Sequence, residues 1–324
     1  MWENIDREFA GHLSNFEEYL KSRLNNKGSF LNQIANTVLN SGGKRLRPAF
    51  VILFATLDSF EKLNDEEFRN RLFNAAAAIE ILHTATLVHD DIIDDADTRR
   101  GRITVSKEYG TKIAVYSGDY LLVKAMSLLA ESGLETDNLK ALAKGMAAIC
   151  MGEVDQFFQK FQMTSELSYL KRITKKTAIL FSISAAIGAK IGNLPDKDIK
   201  NAAKFGLYYG SAFQIRDDIL DLKSNEKTEG KPVLKDLAHG IVTLPLIIAA
   251  KNNPKINDAI NGFFETKDVS LSKEIINEVL KTDSIGKSQD VLNKYLRKSK
   301  DILSKLPAGH SSDILLTLCE SMYV

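Results

Sequence analysis

The chain has 324 residues, with 43 lysines and arginines against 42 aspartates and glutamates, a net charge of +1 and two cysteines. That balance argues against a dedicated nucleic-acid binder, which needs a basic excess. Cys150 and Cys319 are too few for a disulfide framework and too far apart for a Cys-x-x-Cys motif, so a reducing, cytoplasmic setting is expected. The amino-terminal segment, residues 1–8, is acidic and amphipathic and does not read as a signal peptide. No transmembrane segment is expected: the longest weakly polar run, residues 177–189, is too short to cross a bilayer.

In chain order, Pro48 suits the first turn of a helix. Apolar residues at three- and four-residue spacing then predict helices over 68–88, 116–130, 141–161, 170–191 and 199–222. In the first of these the apolar stripe is Leu72, Ala75, Ala76, Ile79, Leu82 and Leu87. Gly101 and Gly110 mark breaks between helices. Residues 223–240 are polar, contain Gly230 and Pro232, and predict a functional loop. Alternating strand patterns are nearly absent, so essentially no sheet is expected. The fold class is all-α, a single-domain helical bundle over residues 1–324.

Two acidic clusters carry the chemistry. Asp90-Asp91-Ile92-Ile93-Asp94 and Asp217-Asp218-Ile219-Leu220-Asp221 repeat the pattern D-D-x-x-D. On a helix, Asp90 and Asp94 are i,i+4 neighbours, as are Asp217 and Asp221. Two carboxylates about 6 Å apart repel by roughly 3 kcal/mol at an effective dielectric near 20, so a cation should compensate. Oxygen ligands with no histidine or cysteine in the pattern suit a hard ion. Mg²⁺ fits best because it bridges carboxylates to phosphates. A solvated acidic face explains one such cluster, but not two copies that each end an apolar helical stretch.

Cations accompany the acids. Ser41-Gly42-Gly43-Lys44-Arg45-Leu46-Arg47 sets three of them at a helix start, where backbone N–H groups favour anions. Arg99-Arg100-Gly101-Arg102 follows the first acidic cluster. Phosphate bridging between metal and guanidinium makes sense of that juxtaposition. His83, seven residues before Asp90, shares its helix face. Lys175-Lys176-Thr177 opens an apolar helix and can present charge to a cavity. Gln214 precedes Asp217 by three and Asp218 by four, and can share their face.

Together, Gly-Gly-Lys-Arg-Leu-Arg-Pro, both D-D-x-x-D clusters, Arg99-Arg100-Gly101, Lys176-Thr177, Phe213-Gln214 and Gly230-Lys231-Pro232 closely resemble the trans-type polyprenyl diphosphate synthases. The resemblance runs over about residues 42–246 and is nearest to the heptaprenyl and octaprenyl types. It implies an all-α bundle around a deep central cavity, usually a homodimer. Its members extend an allylic diphosphate with isopentenyl diphosphate, using Mg²⁺, roughly three ions. Carried over residue by residue, it implies Asp90, Asp94 and Asp217 as direct metal ligands, supported by Asp91, Asp218 and Asp221. Arg99, Lys176 and Lys231 would hold the allylic diphosphate. Lys44, Arg47, His83 and Arg100 would hold isopentenyl diphosphate. Thr177 and Gln214, beside Phe213, would face the developing carbocation. Two departures fall in one stretch. Leu234-Lys235 precede Asp236 where the family often has Gly and then Asn or Ser, and Ile241 stands where many members have Lys.

Short-chain members tend to place aromatics four or five residues before the first aspartate, where this chain has Thr86 and Ala85. Ala78 lies seven residues further back, in a run of four alanines. With about 5.4 Å per turn, small residues over several turns predict a deep groove, with Leu82 or Met126 as alternative caps. The expected product is medium or long, from about six to eight isoprene units, for a quinone side chain. A farnesyl- or geranylgeranyl-type synthase is the alternative. A terpene cyclase would replace the second cluster, and a regulatory partner subunit would lose both. Cys150-Met151-Gly152-Glu153 resembles the heptaprenyl systems, which leaves open a catalytic half with a small partner subunit. Release of a polyprenyl product implies transient membrane contact.

Overall fold

The computed structural model describes residues 1–24, 29–225 and 235–323. A short turn at Trp2–Asn4 precedes α1 (Arg7–Leu24), α2 (Phe30–Leu39), α3 (Leu46–Ala55) and α4 (Glu66–Ile93). Two short strands follow, β1 (Thr98–Arg99) and β2 (Arg102–Ile103). Then come α5 (Val105–Tyr109), α6 (Thr111–Glu131), α7 (Thr136–Phe158), α8 (Glu166–Ile173), α9 (Ile179–Ile191) and α10 (Asp196–Asn225). The chain continues through α11 (Lys235–Ala238), α12 (Leu244–Asn252), α13 (Pro254–Thr266), α14 (Val269–Leu280), α15 (Ser284–Leu303) and α16 (His310–Glu320). Each predicted helix is present. The chain divides into two compact units. One comprises Met1–Leu142, Ile183–Ala203 and Leu303–Leu318; the other comprises Ala143–Ser182, Lys204–Ile302 and Cys319–Val324.

In the first unit α4 is the spine. Asp65 caps it by accepting from the Phe68 N–H at 3.1 Å, and its 28 residues rise about 42 Å. Residues 75–82 are buried without interruption, and α4 packs most extensively on α6. Alanines at 75–78 allow that burial on all faces of one helix. Gly188 and Gly192, one turn apart, bring their backbone onto α3. A Cβ at Gly188 would stand 2.2 Å from the Val51 carbonyl oxygen, and one at Gly192 2.6 Å from that of Ala55. α16 docks through Ser311, whose hydroxyl donates to the Thr56 carbonyl at 2.9 Å.

In the second unit the core gathers Tyr169, Phe181, Phe205, Tyr209, Ile215 and Ile219, all essentially inaccessible, together with α12. Gly206 and Gly210 let α10 lie on the backbone of residues 178–182.

Four expectations are corrected. The sheet is not wholly absent: β1 and β2 pair antiparallel, Arg99 opposite Arg102. Gly101 lies in the break between α4 and α5, as expected, but inside this hairpin. With Arg100 it forms a two-residue turn, both at positive φ (51° and 75°), the geometry that suits the twist of paired strands. Lys175 does not open a helix. α8 runs into α9 through a π-helical turn at Thr174–Ala178, where the Ile179 N–H reaches the Thr174 carbonyl. Part of the loop expected over residues 223–240 is helical: α10 continues to Asn225 and α11 occupies residues 235–238, and residues 226–234 lie outside the described residues. Finally, α4 and α6 are both long and apolar enough to cross a membrane, although 78% of the α4 stretch is buried in its unit and 39% of that of α6.

Gly188→Ala should destabilise the protein by about 1–3 kcal/mol, because carbonyl and methyl cannot share that space. A thermal melt that is unchanged would mean that α3 and residue 188 stand further apart.

Candidate active site

In the first unit the basic runs converge. α3 begins at Arg45, in the left-handed region with φ 50°, after Gly42 and Gly43, also at positive φ. The Arg45 side chain turns inward, donating to Glu17, to Glu80 at 2.8 Å and to the Leu39 carbonyl at 2.7 Å. It is a strut, whereas Lys44 is exposed and Arg47 half-buried. The Arg100 guanidinium donates to the Gly42 carbonyl, so the β1–β2 turn lies against the Gly42–Arg47 segment. His83, half-buried on α4, feels this directly. Burial first, then Arg47, Arg100, Arg99 and Arg45, hold its imidazole well below the ordinary range. His83 is therefore neutral at pH 7 and offers a hydrogen bond, not a charge.

The first acidic cluster stands at the carboxyl end of α4, with Asp94 as its capping residue. The helix dipole disfavours anions there, which sharpens the demand for a cation. The three aspartates differ. Asp91 is buried and accepts from Arg99 Nε at 2.6 Å. Burial raises its carboxyl and Arg99 opposes the rise. Asp90 and Asp94 are half-buried.

The second unit builds a matching set. Asp218 is buried, and both its oxygens are taken. Tyr169 Oη donates to Oδ2 at 2.7 Å and Gln214 Nε2 to Oδ1 at 2.8 Å. Gln214 in turn accepts from Thr177 Oγ1 at 2.7 Å. Thr177 and Lys176 both sit in the π-helical turn, a distortion that re-aims side chains. Lys176 Nζ pairs with Glu153 at 2.9 Å. Phe213 packs its ring 5.7 Å from Phe181. Asp217 is exposed and Asp221 half-buried. Burial, then Asp236, push the Asp218 carboxyl up to about 7. Asp236 is itself raised by burial and by Asp221. Lys231 lies outside the described residues.

Four participants were not singled out from sequence: Tyr169, Glu153, Arg172 and Asp236. Arg172 donates to the Val242 carbonyl at 2.7 Å, fixing the chain just after the departing Ile241. Their signal was faint. Tyr169 lies seven residues before Lys176, a helical repeat, but a tyrosine in an amphipathic stretch reads as core. On α4, Ala85 and Ala78 are fully buried, on the flank shared with His89 and Arg71, which meet Gly118 and Gly133. Met126 is 67% exposed and caps no interior groove of this unit.

Residues 29–280 match the polyprenyl synthetase family, and the chain belongs to it: it is an all-α prenyltransferase. It is 36% identical to heptaprenyl diphosphate synthase component 2 of Geobacillus stearothermophilus, across 94% of this chain and 93% of that protein. The crystal structure of heptaprenyl diphosphate synthase from Staphylococcus aureus superposes with a TM-score of 0.89 at 35% identity, covering 97% of both chains. That of a polyprenyl synthase from Caulobacter crescentus CB15, complexed with calcium and isoprenyl diphosphate, gives 0.88 at 26% identity, covering 100% of this chain and 97% of that one.

The Asp218 environment has a pH signature. Folded, the group keeps its proton up to about pH 7; unfolded, only up to about 3.8. The folded state thus binds the extra proton between these values, so this group's contribution to stability falls as pH rises from about 4 to 7. In the metal-free protein, Asp218→Asn should flatten the stability curve over that window, measured by denaturant midpoints in chelator.

Proposed function

We propose that the chain is a Mg²⁺-dependent trans-prenyltransferase, acting as one catalytic domain, that condenses isopentenyl diphosphate with an allylic diphosphate. The carrying observation is the division of labour inside each acidic cluster. One aspartate, Asp91 or Asp218, is buried and held by protein donors, while Asp90 and Asp94, or Asp217 and Asp221, are more accessible. Among the described residues no three ligating side chains close into a cage. That suits Mg²⁺, which takes one or two carboxylates and completes its shell with water and phosphate. By the resemblance, Asp90, Asp94 and Asp217 would be direct ligands, with Asp91, Asp218 and Asp221 in support. When bound, the ions neutralise the diphosphate as the allylic C–O bond breaks. The calcium and isoprenyl diphosphate in the Caulobacter relative support this ligand chemistry.

The residues then have distinct tasks. Arg99 and Lys176 hold the allylic diphosphate, with Lys231 added by resemblance. Lys44, Arg47 and Arg100 hold isopentenyl diphosphate, and neutral His83 completes that set by hydrogen bonding. Thr177 and Gln214, oriented through Asp218 and Tyr169, turn polar oxygens toward the developing carbocation, and Phe213 flanks them. The departed diphosphate takes the proton.

The product is a medium-chain polyprenyl diphosphate of about six to eight units, a quinone side-chain precursor, since no aromatic stands within two helical turns before Asp90. A homodimer is supported by α6, whose Tyr116, Val123 and Met126 are 64%, 64% and 67% exposed on one stripe. The name of the Geobacillus relative, component 2, supports a second, small partner subunit. A cytoplasmic setting, with membrane contact at product release, is in keeping with two free cysteines.

Asp90→Ala and Asp217→Ala should each reduce turnover by orders of magnitude with the thermal midpoint kept; normal activity in either would overturn the assignment. Sizing the dephosphorylated products of the purified chain, given Mg²⁺ and a series of allylic primers, tests the length. Thr86→Phe, half-buried on the Asp90 side of α4, should shorten the product, whereas Phe at fully buried Ala85 would overpack the helix. An unshortened product from Thr86→Phe would show that the groove runs elsewhere.

A further inference from the structure

Trp2 is the only tryptophan in the chain, and it is 9% exposed. Its indole Nε1–H donates to the backbone carbonyl of Lys44 at 2.8 Å, across 42 residues of sequence. The ring is itself fixed. It meets Phe9 edge-on at 5.0 Å, and Phe9 stacks on Phe60 at 6.0 Å. Phe60 lies 5.1 Å from the His310 ring, and His310 Nε2 bonds to Asp6 at 2.6 Å. An aromatic stack thus runs from α16 to the carbonyl of Lys44.

The segment it reaches needs restraint from outside. Gly42, Gly43 and Arg45 have φ of 90°, 150° and 50°, so local preference does not select one shape. Arg100 holds the Gly42 carbonyl and Glu17 and Glu80 hold the Arg45 side chain. The Lys44 carbonyl between them is held by Trp2. We propose that Trp2 is a positioning residue for the diphosphate of isopentenyl diphosphate: its hydrogen bond sets the direction in which Lys44 leaves the backbone. This rests on the reading that Lys44 and Arg47 hold that substrate.

Trp2→Phe keeps an aromatic ring against Phe9 and removes only the donor. The KM for isopentenyl diphosphate should rise roughly threefold to tenfold, the loss of one hydrogen bond. The KM for the allylic primer, kcat and the thermal midpoint should be nearly unchanged. A lowered midpoint with an unchanged KM for isopentenyl diphosphate would mean a merely structural tryptophan and would overturn the proposal. The wild-type chain supplies a second measurement that needs no variant. Isopentenyl diphosphate alone, titrated past its KM, should alter Trp2 fluorescence saturably, and an unaltered spectrum overturns the proposal. Lys44→Ala and Arg47→Ala separate the two levels. If both leave the KM for isopentenyl diphosphate unmoved, the underlying reading fails. If they raise it and Trp2→Phe does not, only the positioning role fails.

Discussion

The inward turn of Arg45 is the constraint on which the cationic half of the site depends. A guanidinium at 9% side-chain exposure is costly to bury unless its donors are met, and here α1, α2 and α4 each supply an acceptor. Arg45 itself adopts the left-handed region, at φ 50°, a strain that these three acceptors hold in place. With Arg45 committed inward, Lys44 before it stays exposed and Arg47 beyond Leu46 is half-buried. Three basic residues within four positions thereby separate into one buried strut and two side chains that the proposed function assigns to substrate.

The acidic half follows the same logic with the signs reversed. Asp91 and Asp218 occupy equivalent places in the two D-D-x-x-D patterns, and each is buried against protein donors. A buried aspartate held by protein donors beside more accessible ones makes the pattern rigid. In the second unit this anchor also orients the groups proposed to face the carbocation: the bonds run from Tyr169 through Asp218 and Gln214 to Thr177. The π-helical turn places Lys176 and Thr177 off the regular helix repeat, so that one residue pairs with Glu153 and the next joins Gln214.

Near-neutral net charge and a strongly charged site are compatible because the sum runs over opposed local clusters. The acidic and basic clusters of the proposed site cancel in the total. The neutral state of His83 is part of the same economy: four arginines around one imidazole leave no advantage in a fifth positive charge.

Much of this was legible along the chain because it is local. Helix positions follow from periodicity in 68–88 and 199–222, and the paired acidic pattern from i,i+4 spacing. The basic runs that the proposed function assigns to phosphate are similarly legible, since backbone N–H groups at a helix start favour anions. What the chain alone does not decide is which member of each charged run is structural. Arg45 and Arg47 are alike in sequence; only the acceptors from α1, α2 and α4 distinguish them. Tyr169 meets Asp218 across 49 residues and Trp2 meets Lys44 across 42, so neither pairing has a local signature. The π-helical turn and the Arg100-Gly101 hairpin were likewise invisible, because backbone strain is selected by tertiary contacts and not by propensity. Sequence determined the chemistry available; tertiary structure decided which side chains were spent on holding the others in place.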